Sequence, residues 1–123
     1  MTATTRPILP SADLVATAEF YRPLGFSLVG HWPGEYLIIA GPDTIELHFW
    51  SDPDVDRWTN DVACWIGYPG PAGVRGLHAR WSAVGVAEPA TLRPVTDDGR
   101  LTEFQLIDQF GNLLRVGALS NGS

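Results

Sequence analysis

Apolar positions recur along this chain with two different periods. Leu14, Val15, Ala18 and Tyr21 fall on one helical face, with Glu19 and Arg22 outside it, and Ser11 or Asp13 stands where an N-cap is needed. Pro23 and Gly25 end that helix. A second helix is predicted from Gly73 to Val84, with Val74, Leu77, His78 and Trp81 at helical spacing and Gly85 as its stop. Most of the remaining chain follows the period of two. After the short apolar segment Ile8-Leu9-Pro10, strands are predicted over Phe26–His31, Tyr36–Ala40 and Thr44–Trp50, then Val62–Tyr68, Glu88–Val95, Leu101–Ile107 and Asn112–Gly117. Pro33-Gly34, Gly41-Pro42-Asp43, Asp97-Asp98-Gly99 and Gln109–Asn112 supply the turns.

The order β-α-β-β-β therefore occurs twice. The first module covers about 5–50, a polar linker 51–60, and the second module about 61–117, all within one domain spanning 1–123. The expected class is α+β, with two βαβββ modules building a curved mixed sheet whose concave surface suits a small ligand. Each such module leaves one sheet face unburied, which calls for a second module or a second chain.

Composition narrows the function. With 45% hydrophobic and 18% charged residues, the chain has too much apolar character for disorder. A net charge of −6 repels phosphate backbones, so no nucleic-acid partner is expected, while it suits a cationic ligand and equally suits plain solubility. No apolar run approaches the ~18 residues of a membrane span. The N-terminal stretch Met1–Arg6 lacks the order of a signal peptide. The expectation is a cytoplasmic protein without a membrane partner. The single cysteine, Cys64, rules out an internal disulfide framework and sits in the apolar run Val62–Ile66 as a small buried hydrophobe.

Pro7–Asp13, followed by Ala18-Glu19-Phe20-Tyr21 and Leu24-Gly25-Phe26, resembles the first module of the glyoxalase/bleomycin-resistance (vicinal oxygen chelate) superfamily. Phe104–Asn112 resembles its closing hairpin. The entry segment and short length are most similar to the bleomycin-resistance binding proteins. That resemblance implies a homodimer with two grooves between subunits, no metal or other cofactor, and a small-molecule antibiotic as partner. Metal-dependent members of the superfamily place His or Glu at four strand positions, which fall here on Arg6, Glu46, Ala63 and Arg115. Arginine has no lone pair to donate and alanine has nothing to offer, so only Glu46 remains of that set. The expected arrangement puts Glu46 between Arg6 and Arg115 as an ion-pair network. The alternative is a divalent-metal lyase or dioxygenase of the same superfamily, with Glu46 and His48 sharing a strand face and His31 joining them. Otherwise His48 and His78 are rim residues.

Five tryptophans are a high number for this length. Trp81 has core spacing; Trp65 faces either a core or the concavity. Trp32, Trp50 and Trp58, at a turn, a strand end and a polar linker, are either stray exposed rings or binding platforms, and the resemblance, which implies that those regions border the groove, favours platforms. Asp52, Asp54, Asp56 and Asp61 surround Trp58. The bleomycin binders typically carry a Trp-Gly pair before the seventh strand, where this chain has Asp98-Gly99-Arg100, which leaves the ligand's identity open and makes Trp32 the candidate replacement. The expected function is non-catalytic sequestration of a bleomycin-like or other bulky, planar, cationic antibiotic. Trp32, Tyr36, Phe49, Trp50 and Trp65 are the candidates for stacking and apolar contact, and Glu46, Asp98 and Arg115 for polar contact.

Overall fold

The computed structural model describes residues 2–119; Met1 and residues 120–123 of the expected domain lie outside that range. Two compact units divide between Asp56 and Arg57. In the first, β1 (Ile8–Ser11), α1 (Leu14–Tyr21), β2 (Ser27–Trp32), β3 (Tyr36–Ala40) and β4 (Glu46–Ser51) follow in order. In the second come β5 (Ala63–Gly67), α2 (Pro71–Val84), β6 (Thr91–Leu92), β7 (Thr96–Asp97), β8 (Leu101–Ile107) and β9 (Leu113–Leu119). Each unit forms its own mixed sheet, with orders β1-β4-β3-β2 and β5-β9-β8-β6, and β7 also pairing β8. The outer pair of each, β1 with β4 and β5 with β9, is parallel. The class is α+β, with two helices and two mixed sheets.

Each helix covers one face of its sheet. Asp13 caps α1, its carboxylate accepting the Ala16 N–H at 3.0 Å. Leu14, Thr17 and Tyr21 are buried against β3 and β4, where Leu37, Ile39, Leu47 and Phe49 point inward. Val15, predicted on the apolar face, turns outward instead. Its expected place is taken by Thr17, made tolerable in the core by a 2.7 Å hydrogen bond with the buried Ser11 hydroxyl. On α2, Val74, Leu77 and Trp81 are buried against β8 and β9, with Trp81 edge-on to Phe104 at 5.6 Å. His78 lies at the margin of this contact: its Nε2 is 3.0 Å from the Arg93 carbonyl and its ring is edge-on to Phe104.

Three predicted strands are shorter than expected, Val62–Tyr68 keeping only Ala63–Gly67. Thr44 adopts a positive φ of 65°, so it closes the preceding turn and β4 starts at Glu46. Glu88–Val95 contributes only Thr91–Leu92, with the ladder resuming at Thr96. Pro89 and Pro94 have no N–H to give to a sheet, which breaks the run on both sides. The helix predicted from Gly73 begins two residues earlier, at Pro71, where a proline suits the first turn.

Candidate functional site

Alternation decides which side chains are free. On β4, Leu47 and Phe49 face α1, so Glu46, His48 and Trp50 face the other way, onto a surface that no helix of their unit covers. The register sets Trp32 opposite Tyr36, Tyr36 opposite Trp50, and Trp50 opposite Pro10. Three predicted residues thus form a row across adjacent strands, with Trp32 51% and Trp50 45% exposed. Trp32 and Tyr36 meet at 6.4 Å between ring centroids. The Trp32 ring also folds back over Gly30, where a Cβ would stand 2.8 Å from it; glycine is what lets the indole lie against the strand.

Beside that row runs a polar chain. The Tyr36 hydroxyl is 2.8 Å from His48 Nδ1, and His48 Nε2 is 2.7 Å from Glu46 Oε2. Arg6 Nε lies 3.2 Å from the same carboxylate oxygen, close enough for charge attraction but not aimed as a hydrogen bond. The hydrogen bond from His48, aided by Arg6, holds the Glu46 carboxyl below its ordinary value. Burial pushes the Tyr36 phenol above its ordinary value.

The second sheet has a matching open face. Trp65 is 50% exposed on β5, next to Arg115 in register on β9. The Arg115 guanidinium sits 5.7 Å from the Trp65 ring centroid and pairs with Glu103 of β8 at 2.5 Å. The indole lies across Gly67 and Gly117, where a side chain at either would collide with it.

Several expectations are corrected by this geometry. Phe49 has no exposed surface: it packs against Tyr21 at 5.5 Å, on the face opposite Glu46. Arg115 takes its carboxylate from Glu103 rather than Glu46, because Glu103 and Arg115 project from the same side of the β8–β9 pair. Asp98 stands in the turn between β7 and β8, where its Oδ1 accepts the Leu101 and Arg100 N–H groups at 2.8 and 2.9 Å; these bonds hold its carboxyl below the ordinary value. His31 pairs with the inward-facing Leu37 and lines a cavity of about 250 Å³ with Ala12–Val15, so it stands on the opposite face from Glu46 and His48. Among the described residues no three His, Cys, Asp or Glu side chains converge as a ligand set. The Arg57 guanidinium lies 4.7 Å from the Trp58 ring centroid, a cation over the indole that acids surround in the sequence, and the ring is 82% exposed. His48 is a partner in the polar chain, not a rim residue, and Glu103 was not anticipated at all.

Cys64 faces the helix side of β5. Burial, with the Asp108 charge adding to it, pushes its thiol up to about 11. At pH 8 such a thiol is about 0.1% thiolate, against about a quarter for an ordinary one near 8.5. Iodoacetamide should therefore label Cys64 at least ~100-fold more slowly in the folded protein than in urea. Equal rates would remove the burial argument.

Among the described residues no helix is long and apolar enough to cross a membrane. The sequence matches no family model. It is 29% identical over 121 residues to a bleomycin resistance protein of Klebsiella pneumoniae, covering 94% of this chain and 92% of that one. The bleomycin resistance determinant encoded on transposon Tn5 superposes with a TM-score of 0.80 at 27% identity, covering 99% of this chain and all of the other. This chain has the glyoxalase/bleomycin resistance fold. A bleomycin-binding protein in complex with bleomycin shares that fold at a TM-score of 0.78 and 27% identity, over 95% of this chain and 98% of its own. A glyoxalase/bleomycin resistance protein/dioxygenase from Nocardioides has it too, at a TM-score of 0.74 and 20% identity over all of this chain and 87% of its own.

Proposed function

We propose that this protein is a non-catalytic binder that sequesters bleomycin or another bulky, partly planar, cationic antibiotic, and so confers resistance. The observation that carries this reading is full-length similarity to a bleomycin resistance protein combined with the bleomycin complex of a neighbour of the same fold. The open faces suit it physically. Trp32, Tyr36 and Trp50 offer aromatic surface on one sheet and Trp65 on the other, and stacking on such rings recognises a planar cation. The positions where metal-dependent relatives coordinate an ion do not fit one here. Arg6 and Arg115 are cations that already neutralise Glu46 and Glu103, and Ala63 has no donor atom. No catalytic step is assigned. The protein acts as a homodimer in this reading, since Ile8 and Leu119 are large apolar side chains exposed on the uncovered faces apart from the indoles that take the ligand.

Calorimetric titration with bleomycin, followed in parallel by tryptophan fluorescence, tests the proposal. Saturable quenching at one ligand per chain is expected, and a flat response overturns it. Trp32→Ala should weaken binding by about 1–3 kcal/mol while leaving the melting temperature in place, because the ring is half exposed. Unchanged affinity would take Trp32 out of the site.

A further inference from the structure

With a neutral His48 the polar chain beside the aromatic row runs in one direction, and that direction selects a ligand. Glu46 is ionised and can only accept, so the 2.7 Å contact requires His48 Nε2 to carry the proton. A neutral imidazole protonated at Nε2 bears a lone pair at Nδ1. The 2.8 Å contact with Tyr36 is then an O–H donated by the phenol to Nδ1. With its single proton turned inward, the Tyr36 oxygen can only accept from anything placed against it. Arg6, on the far side of Glu46, adds to the same order by holding the carboxylate charged. Ile8 and Ile38 are the register partners of His48 on the flanking strands, and neither offers an alternative hydrogen-bond partner.

We infer that Glu46 and His48 are positioning residues that lock Tyr36 as a hydrogen-bond acceptor, so the aromatic row prefers planar cations bearing an N–H donor over planar cations without one. This deepens the antibiotic-binding reading and rests on it for the use of the row Trp32–Tyr36–Trp50 as the stacking surface. The cation's ring system would lie along the indoles, and its N–H would point at the phenol oxygen. A ligand presenting a carbonyl or carboxylate at that place would meet lone pair against lone pair.

Two measurements decide the inference. The first reads the proton directly: ¹⁵N chemical shifts of His48 in the full-length protein at pH 7.5 should show Nε2 protonated and Nδ1 bare. The Nδ1-protonated tautomer, or an imidazolium, would overturn the proposal. The second compares two probes of equal charge and similar planar area, 9-aminoacridinium, which carries N–H donors, and 10-methylacridinium, which carries none. The wild-type protein should bind the first about tenfold more tightly, the ratio expected for one hydrogen bond in a partly desolvated site. In Tyr36→Phe the ratio of the two affinities should fall towards one. Should Tyr36→Phe unfold, His48→Phe supplies the second variant. It frees the phenol to donate as well as accept, so a planar cation presenting a carbonyl at that place should bind at least several-fold more tightly than to wild type while the row stays intact; no gain overturns the inference. Equal binding of the two probes by the wild-type protein, or an unchanged ratio in Tyr36→Phe, overturns the inference. Failure to bind bleomycin would instead remove the antibiotic reading, and the tautomer and the acridinium ratio would still decide this inference separately.

Discussion

Phe49→Ala should lower the unfolding free energy by about 3–5 kcal/mol, the range for deleting a buried phenylalanine. Its ring is fully enclosed between α1 and the first sheet, with Tyr21 on one side and Leu9, Leu37 and Leu47 among the surrounding core side chains. No polar rearrangement can fill the space it leaves, so both the transfer of the ring and the cavity contribute. Trp50→Ala, one residue later on the same strand, provides the contrast. That ring is on the open face and 45% exposed, so its loss should change stability by no more than about 1 kcal/mol. Urea unfolding of the two variants measures both. A small loss for Phe49→Ala, together with weakened bleomycin binding, would return Phe49 to the ligand surface.

Asp108→Ala should be the most damaging polar substitution, at about 2–4 kcal/mol. Asp108 is 1% exposed in the turn between β8 and β9. One carboxylate oxygen accepts the Phe110 and Asn112 N–H groups at 2.9 and 3.0 Å, and the other accepts the Asn112 side-chain amide at 2.9 Å. Asn112 in turn accepts from Asn60, which also reaches the Phe110 carbonyl and receives the Val62 N–H. Removing the carboxylate takes the acceptor from the two buried Asn112 donors and from the part-buried Phe110 N–H, and an unpaired buried group costs more than the bond itself. Asp108→Asn keeps the shape and one accepting oxygen but sets its amide against that of Asn112, so it should lose about half as much. Thermal melts of the two variants give the comparison. Equal stability of Asp108→Ala and wild type would mean the turn is held by other contacts.

Both cases show what the sequence makes legible and what it hides. Helical spacing and the Asp13 cap were enough to locate α1, and alternation located β3, β4 and β8 to within two residues, because burial on one face leaves a local period. The same alternation already separated Glu46, His48 and Trp50 from Leu47 and Phe49; placing Phe49 in the site gave its aromatic character more weight than its parity. Register is different, because it joins residues distant in sequence. Nothing local to Arg115 says that Glu103 will stand beside it, or that Tyr36 will reach His48, until the hairpins are aligned. Asp98 was drawn into the site by its charge, although Asp-Gly at a strand boundary is a turn signal with a use of its own.

The odd and even positions of β4 answer to separate demands. Leu47 and Phe49 are constrained by the fit of α1, whereas Trp50, two strands from Trp32 in the same row, is constrained only by what lands on it. Substitutions can accumulate on the outward set without loosening the interior. The open face of this scaffold can therefore be retuned by single substitutions at alternate positions while the interior keeps its packing.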